Sequence, residues 1–393
     1  MTRQFAYSMV AMAIAGLALG TTACEDEDTE DLQGNWYNTE AEYPGVVRGG
    51  AVSFKIEKDG KEYVLVGTGA NTNKTVERER FRDFYHVSLD NANTQLPTWS
   101  VAWSDTSSYK NDFVVGGVRP MPSEAAARNG AVAFTLNGKG YVGLGYDGTH
   151  YLNDFWEYNP EDNSWSKVAA DYPDSLRFAV AFVIDNVAYV GTGEDYDYNY
   201  VNKFYKFDGT KWEAVATKKT KVSQASAFTC VASDGLEYGY VVGGKGTDGA
   251  SYMLERYDPR NNTWTTMNYT KDHSRNDFDD NYTLSSYGHT VFVLYPEDPY
   301  QCRVYLTTGG ASSAAGKATW EYFPAYDYWV QRTAFEGSSR KFAVSFTLRD
   351  RSGKDHGFVS TGTTGDMTIS GSSASFYGDT WLFNPNAPYE YRD

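Results

Sequence analysis

Short apolar segments separated by turn residues run along most of this chain, and they recur in groups of three. In one group the first segment alternates apolar and small residues (residues 51–54, AVSF), and the second ends in glycines (residues 63–69, YVLVGTG). The third segment is aromatic (residues 83–85, DFY). Alternating or β-branched and aromatic runs of this length, bounded by glycine and asparagine, are typical of β-strands. The pattern therefore predicts an all-β protein.

The glycine-ending segment occurs six times, and its spacing defines a repeat. It begins at Tyr63, Tyr141, Tyr189, Tyr240, Tyr305 and Phe358. The basal period is about fifty residues, and insertions at residues 104–127 and 265–285 lengthen two of the steps. The first insertion contains residues 113–117 (FVVGG), which imitate a strand, but no tryptophan follows at the repeat spacing. We therefore do not count a seventh unit. A tryptophan closes most units, at Trp99 or Trp103, Trp165, Trp212, Trp264 and Trp329.

Glycines after the second strand, followed by a spaced tyrosine and tryptophan, resemble the kelch repeat of the galactose oxidase central-domain superfamily. The double glycine is split in two units, by Thr68 and by Thr192. The resemblance covers residues 34–393 and implies one six-bladed β-propeller. Its blades would be residues 48–103, 128–165, 177–212, 223–264, 286–329 and 340–385, with residues 34–38 completing the last.

The two ends of the repeat region complement each other. The sixth unit has no tryptophan strand after Phe383, whereas Trp36 precedes the first unit. Trp36 stands before Arg48 at nearly the spacing that separates Trp329 from Arg340. We expect the N-terminal strand to complete the last blade, because a closed ring leaves no radial seam and few exposed strand edges. The periodic aromatic residues are then expected to pack between blades.

The first 23 residues have the pattern of a targeting segment. Arg3 precedes an apolar run that ends in small residues, so residues 1–23 are interpreted as a signal peptide rather than a retained anchor helix. Cys24 follows, and its position resembles the lipidation site of a bacterial lipoprotein. Residues 24–33 form an acidic tether, a solvated spacer or an export signal of the Bacteroidetes lipoprotein type. We expect lipid anchoring at the outer membrane, on the cell surface or on the periplasmic face.

Composition narrows the possible partners. The formal net charge of the chain is -16, which argues against non-specific nucleic-acid binding because that needs a positive surface. We expect a monomer that meets the membrane only through its lipid anchor. The chain contains 3 cysteines, too few for a disulfide framework. Cys230 and Cys302 are able to pair only if their blades meet, and two buried free thiols are the favoured interpretation.

Basic residues recur at two adjacent repeat positions. Arg48, Arg128 and Arg340 stand six residues before the phenylalanine that ends the first strand, and Arg177 and Lys341 occupy the next position. The first strand lines the central channel in kelch propellers, so the resemblance implies that these side chains gather near one mouth. A cationic ring there would bind an anion such as a carboxylate. The alternative, which we favour, is that the arginines belong to the repeat and bond carbonyl groups at the blade corners.

Acidic loops are the candidate metal sites. Asp195 and Asp197 begin a calcium-loop pattern, but Tyr200 stands where glycine is needed, so an EF-hand is excluded. A looser calcium site there, or at Asp277 and Asp279, stays open, although a solvated acidic loop is favoured. The histidines show no metal-ligand spacing, so no zinc is expected. No cofactor is therefore expected.

No catalytic signature is present in the sequence. It has no nucleophile elbow, phosphate loop or cysteine–histidine neighbourhood, and the copper ligands of galactose oxidase are not reproduced. We therefore expect a binding module for a glycan or a protein at the cell surface, with Tyr196, Tyr198 and Tyr200 as loop contacts. The alternative is a sugar-acid mutarotase or epimerase, because sialic acid mutarotases are also kelch propellers with an arginine-rich channel mouth.

Overall fold

The structure, a computed structural model, consists of antiparallel sheets arranged around one channel. It describes residues 33–73, 79–89, 96–251, 253–267, 287–310, 315–365, 367 and 373–388. Six of its sheets have four strands each. The prediction of an all-β, six-bladed β-propeller is confirmed. The signal peptide, the tether with Cys24, and Asp277 and Asp279 lie outside the described residues.

Each blade of the first half is a four-stranded meander that follows the chain outward from the channel. Blade 1 contains β2 (Val52–Lys58), β3 (Lys61–Gly67), β4 (Phe84–Leu89) and β5 (Pro97–Trp99). Blade 2 contains β6 (Val132–Leu136), β7 (Lys139–Gly143), β8 (Phe155–Asn159) and β9 (Ser164–Lys167). Blade 3 contains β10 (Val180–Ile184), β11 (Val187–Gly191), β12 (Phe204–Phe207) and β13 (Trp212–Ala214).

The second half repeats this plan with one small addition, a two-stranded ribbon in blade 4. Blade 4 contains β14 (Ser226–Val231), β15 (Glu237–Val242), β18 (Leu254–Asp258) and β19 (Thr263–Thr266), and its ribbon is β16 (Lys245–Gly246) with β17 (Gly249–Ala250). Blade 5 contains β20 (Thr290–Leu294), β21 (Arg303–Thr307), β22 (Thr319–Phe323) and β23 (Tyr328–Arg332), with a 3-10 turn at Ala315–Lys317. Blade 6 contains β24 (Val344–Arg349), β25 (Asp355–Ser360) and β26 (Asp379–Asn384), and its outer strand is β1 (Asn35–Glu42).

The N-terminal strand closes the ring, as the sequence predicts. β1 pairs antiparallel with β26, and Trp36 lies opposite Phe383 in the register. The Trp36 side chain is buried and packs edge-on against Phe335 with ring centroids 5.0 Å apart. Its indole nitrogen donates a hydrogen bond to the carbonyl of Thr333 at the end of blade 5. This strand therefore joins blade 6 to blade 5 as well as completing the sheet.

A circle of backbone hydrogen bonds joins the blades at one end of the channel. Each blade contributes one residue just before its inner strand, and its amide donates to the carbonyl of the equivalent residue of the preceding blade, with N–O distances between 2.7 and 3.2 Å. All of these residues have a positive φ. They are Gly50, Gly130, Phe178, Gln224, Gly288 and Phe342. The circle is complete, which only a closed ring of blades permits.

The first insertion packs against the outside of blades 1 and 2. Its strand-like segment forms a short helix, α1 (Phe113–Gly116), so it is not a seventh blade. Phe113 is fully buried, and its ring lies edge-on to Tyr63. The imidazole of His86 lies beside it and is within hydrogen-bond distance of the carbonyl of Val114, at 3.3 Å. In the described part of the chain, no helix is long and apolar enough to cross a membrane.

The buried histidine makes the stability of the fold depend on pH. Burial lowers the pKa of His86 from 6.5 to about 4. Between these values the unfolded chain binds more protons than the native protein, so the free energy of unfolding falls as the pH decreases through this window. The slope contributed by this group is at most about 1.4 kcal/mol per pH unit.

The matched variant for this effect is His86→Gln, which does not titrate. In urea denaturation at pH 7 and pH 5, the wild type is expected to lose about 1–2 kcal/mol more stability than His86→Gln. The lower absolute stability of the variant does not enter this comparison, since only the change with pH is compared. Equal pH dependence of both proteins would contradict a neutral, buried His86.

Candidate functional site

Three of the repeat arginines lie inside the blades and not at the channel mouth. Arg48, Arg128 and Arg340 are fully buried or nearly so. Each binds the aspartate at the beginning of the third strand of its own blade through two parallel hydrogen bonds, as in Arg128 Nη1–Asp154 Oδ1 at 2.6 Å and Nη2–Oδ2 at 3.0 Å. Each also donates to backbone carbonyls nearby; for Arg128 these belong to Ala126 and Leu144. These guanidinium groups are buried and bonded within their own blades, so they do not form a cationic ring at the channel mouth.

Two of these aspartates, Asp154 and Asp379, are held in the ionised form. Burial alone would raise the pKa of Asp154, but the hydrogen bonds and charge of Arg128 hold it below its ordinary value. The same balance, with Arg340 as the partner, lowers the pKa of Asp379. In blade 4 the equivalent positions are apolar, Val222 and Met253. The ion pair is therefore not the only way in which this chain fills the blade corner.

The channel itself is lined by small side chains of the inner strands. Its cavity has a volume of about 230 Å³ and is bounded by the inner-strand residues of all six blades. Most of these are alanine, serine, threonine or valine, and none is arginine or lysine. The cavity residues are Ala51–Ser53, Ala131–Ala133, Ala179–Ala181, Ala225–Ala227, His289–Val291 and Ala343–Ser345. The lining residues that the structure describes therefore provide no arginine or lysine with which to bind an anion.

Two phenylalanines close one end of this channel. Phe178 and Phe342 come from opposite blades of the ring, and their rings stack with centroids 5.2 Å apart. Both are buried, and the fully buried Met367 packs with them. The equivalent residue in blades 1, 2 and 5 is glycine. A ligand that approaches this end of the channel therefore meets a closed surface. We call this end of the propeller the loop face, because the loops between the second and third strands of the blades lie there.

Arg177 lies on the loop face beside the phenylalanine plug, but it is neither free nor exposed. It is 4% exposed and Glu194 is 5% exposed. Their side chains form an ion pair, with both Nε and Nη2 of Arg177 lying 2.6 Å from Glu194 Oε1. The hydroxyl of Tyr151 donates to the same carboxylate oxygen at 3.5 Å. The charge of Arg177 is therefore neutralised within the protein.

Tyrosine rings from blades 2 and 3 surround this ion pair. The guanidinium carbon of Arg177 lies 4.9 Å from the ring centre of Tyr151 and 5.9 Å from that of Tyr198. Tyr151 in turn lies edge-on to Tyr196, with centroids 5.6 Å apart. Tyr196 and Tyr198 are 63% and 69% exposed. The buried pair thus supports two exposed aromatic rings, which we name the tyrosine platform.

The loop that carries the platform is fixed by its own hydrogen bonds. Asp195 Oδ1 accepts from the amides of Asp197 and Asn199, at 3.0 and 2.9 Å. The backbone carbonyl of Asp195 accepts from the amide of Tyr198, at 3.0 Å. Tyr198 has a φ of +62°, a left-handed conformation that costs a non-glycine residue of this size energy. The loop therefore holds an exposed aromatic side chain in a conformation that a flexible segment would not favour.

The same hydrogen bonds bear on the calcium hypothesis. Both carboxylate oxygens of Asp195 accept hydrogen bonds from their own loop, Oδ2 from the side-chain amide of Asn199 at 3.1 Å. Asp197 is exposed and lies on the same turn. Among the residues that the structure describes, no three His, Cys, Asp or Glu side chains lie close enough together to hold a metal ion. The second candidate pair, Asp277 and Asp279, lies outside those residues.

The remaining predicted contacts, Tyr200 and Lys341, are not part of the tyrosine platform. Tyr200 is half-buried and bridges to Glu194 through the backbone. Lys341 lies in blade 6, with its ammonium group 5.6 Å from the ring centre of Tyr287. The exposed Lys245 approaches the same ring at 5.7 Å. The structure therefore brings Arg177, Tyr196 and Tyr198 together and places Lys341 at a separate basic position.

Several parts of this site are not predicted from the sequence. Glu194, Tyr151 and Tyr146 belong to it, and the guanidinium carbon of Arg177 lies 5.5 Å from the ring centre of Tyr146. The sequence points to the loop after Glu194 only through its tyrosines and aspartates. The phenylalanine plug was also missed. The signal for the plug was present, since Phe178 and Phe342 replace the glycines of blades 1, 2 and 5 at an aligned position. The Arg177–Glu194 contact had no comparable signal.

Comparison with known proteins agrees with this architecture. The kelch motif matches residues 127–170, which include all of blade 2. The protein is a six-bladed β-propeller that contains a kelch motif. The structure of YjhT is similar to this propeller with a TM-score of 0.56 and 14% sequence identity, over 88% of this chain and 96% of that chain. At this identity the similarity shows the fold alone. Because 394 solved chains match this protein, the structural comparison singles out no activity. No curated protein matches the sequence.

Proposed function

We propose that this kelch propeller is a binding module of the cell envelope that recognises a glycan through the tyrosine platform. The observation that carries the proposal is the presentation of Tyr196 and Tyr198, two exposed rings on one short, internally bonded loop. Aromatic faces bind the apolar faces of sugar rings, and a rigid loop loses little conformational entropy when it binds. Cys24 would anchor the protein to the membrane, and the acidic tether would act as a spacer.

Charge around the platform favours a hydroxyl-rich ligand. Arg177 and Glu194 neutralise each other, so neither provides a net charge for an ionic partner. The carboxylates of Asp195 and Asp197 lie on the same loop, and an ionised carboxylate accepts hydrogen bonds from hydroxyl groups. An aromatic ring beside hydrogen-bond acceptors is the combination that a sugar ring needs. A protein is the alternative partner of the platform, and the experiment below distinguishes it from a glycan.

Removing the platform rings is expected to abolish glycan binding and leave the fold intact. The full-length protein is first screened against immobilised neutral and acidic glycans, and a binding glycan is then titrated by calorimetry. Tyr196→Ala and Tyr198→Ala should each raise the Kd by at least about tenfold, because truncation of a central aromatic contact costs about 1.4 kcal/mol or more. Both side chains are exposed, so the Tm should change little.

The chain provides matched controls for this experiment. Tyr300 and Tyr326 are each 60% exposed and lie on hairpin turns of blade 5, on the opposite face. Tyr300→Ala and Tyr326→Ala should bind like the wild type. An equal loss of glycan affinity in all four variants would show that surface tyrosines contribute non-specifically. Wild-type affinity in both Tyr196→Ala and Tyr198→Ala would contradict recognition by the platform. Absence of glycan binding together with capture of a protein by the platform would identify the other occupant.

The second candidate function, sugar-acid mutarotation, is supported by the Arg177–Glu194 pair. A guanidinium group is suited to bind a carboxylate, and an adjacent carboxylate is suited to accept a proton. Both side chains are buried beneath tyrosines, so the pair would first have to open. Anomer exchange of a sugar acid followed by NMR distinguishes the two functions. Acceleration by the wild type that Glu194→Gln loses would support the enzyme and contradict a module that only binds.

A further inference from the structure

Two cysteines of different blades meet inside the protein. Cys230 lies in β14 of blade 4, and Cys302 lies directly before β21 of blade 5. Both are fully buried free thiols in one hydrophobic cluster, which also contains Tyr240, Trp320 and Trp329. This answers the question that the sequence left open, because the blades that carry the two residues are neighbours in the ring.

The backbone around both cysteines is fixed by hydrogen bonds. The amide of Val231, the residue after Cys230, donates to the carbonyl of Pro296 in blade 5 at 2.9 Å. The amide of Cys302 donates to the carbonyl of Asp298 in the same turn at 2.8 Å. The two thiols are close enough to interact directly. The two thiols therefore lie within one hydrophobic cluster, beside a hydrogen-bonded seam between blades 4 and 5.

We propose that Cys230 and Cys302 form a disulfide across the seam between blades 4 and 5 when the chain folds in an oxidising environment. The free thiols are the reduced state of the same site. The bond closes a loop of about 70 residues, and a cross-link over a loop of this length restricts the unfolded chain strongly. That loop includes the outer strands of blade 4 and residues 268–286.

The chemistry is a thiol–disulfide exchange with a donor disulfide. The thiolate of one cysteine attacks a sulfur of the donor, which gives a mixed disulfide and releases one donor thiolate. The second cysteine then attacks the mixed disulfide and releases the other. Two protons and two electrons leave the protein pair, and the donor disulfide is reduced to two thiols. The donor is a dithiol oxidase of the cell envelope, or oxidised glutathione in the laboratory.

The bond must form before the seam is complete. Burial raises the pKa of Cys230, and the neighbouring Cys302 raises it further, whereas the reactive species in exchange is the thiolate. Neither thiol is accessible to a donor once the blades have packed. The site is therefore a structural link made during folding, and the native reduced protein is expected to resist oxidation.

The test compares refolding with and without an oxidant. The full-length chain is unfolded in urea and refolded with oxidised and reduced glutathione, or with dithiothreitol alone, and then alkylated and digested with trypsin. The expected product of the oxidised arm is a cross-link between peptides 222–245 and 276–303, which contain Cys230 and Cys302. Its melting temperature should exceed that of the reduced arm by about 5 °C.

The controls separate this pair from random oxidation. Cys302→Ser should give no cross-linked peptide, and its melting temperature should not respond to reductant. Cys24, the third cysteine, should not appear in cross-links. Separate alkylation of both peptides after oxidative refolding, or cross-links dominated by Cys24, would overturn the proposal.

The location of the protein is tested independently of the pair. The disulfide proposal depends on the proposed envelope location only in stating the cellular compartment where the bond forms. The same peptides are therefore analysed from protein isolated from cells under acid quench. A cross-link in both refolded and isolated protein supports the disulfide and the exported location. A cross-link in the refolded protein alone supports the pair and contradicts export to an oxidising compartment.

Discussion

Replacing Trp36 with alanine is expected to give the largest loss of stability of any single change in the closing strand. The side chain is almost fully buried among Phe292, Phe335 and Phe383. Large-to-small replacements of buried aromatics cost about 3–5 kcal/mol, and the hydrogen bond from the indole to Thr333 is lost as well. Urea denaturation should show this decrease in the free energy of unfolding.

A tryptophan outside the ring seam serves as the control. Trp103 lies half-buried directly before the first insertion and contacts Arg119. Trp103→Ala should cost less than about 1 kcal/mol, as is usual for surface changes. If Trp36→Ala were as mild as this control, the strand would not hold the ends of the propeller together.

Breaking one buried arginine–aspartate pair should lower the free energy of unfolding nearly as much as Trp36→Ala does. Arg128→Ala leaves Asp154 without the partner that balances the cost of its burial, and loss of one member of a buried pair costs about 3–5 kcal/mol. Asp154 keeps some solvent contact, with its side chain 19% exposed, so we expect the lower end, about 3 kcal/mol. Chemical denaturation at neutral pH measures this loss.

Blade 4 supplies the compensating change. It has Val222 and Met253 where blade 2 has Arg128 and Asp154. The double variant Arg128→Val with Asp154→Met should therefore recover stability to within about 1–2 kcal/mol of the wild type, because an apolar pair removes the buried charge. The remaining loss comes from the indole of Trp156, which donates to Asp154 at 2.7 Å. No recovery in the double variant would show that the pair does more than fill the blade corner.

The repeat made the fold predictable from sequence. Six copies of one strand pattern set the number of blades, and the unpartnered Trp36 set how the ring closes. Both depend on side-chain periodicity and on the need to pair strand edges, which a linear sequence displays directly. The short helix of the first insertion was not predicted, because residues 113–117 carry the composition of a strand and tertiary packing of Phe113 decides otherwise.

The site was predictable only in part. The sequence shows the position of Arg128 in the repeat but not where its side chain points. A side chain beside the channel can face the channel or turn into its own blade, as Arg128 does. The aspartates that decide this, such as Asp83 and Asp154, precede the aromatic third strand and were visible in the sequence. The Arg177–Glu194 pair joins two segments through local loop geometry, and repeat alignment does not show such contacts.

The most direct test of the central claim is a hydrogen-exchange footprint of the full-length protein with a glycan that it binds. The tyrosine platform is expected to gain protection at residues 194–200 and at residues 146–151 of the neighbouring blade, with no change at the inner strands. The phenylalanine plug closes this end of the channel, so the platform and the channel-lining residues are separate places for a ligand to bind. Protection confined to the channel-lining residues 179–181 and 343–345, or to the hairpin turns of the opposite face, would contradict recognition by the platform.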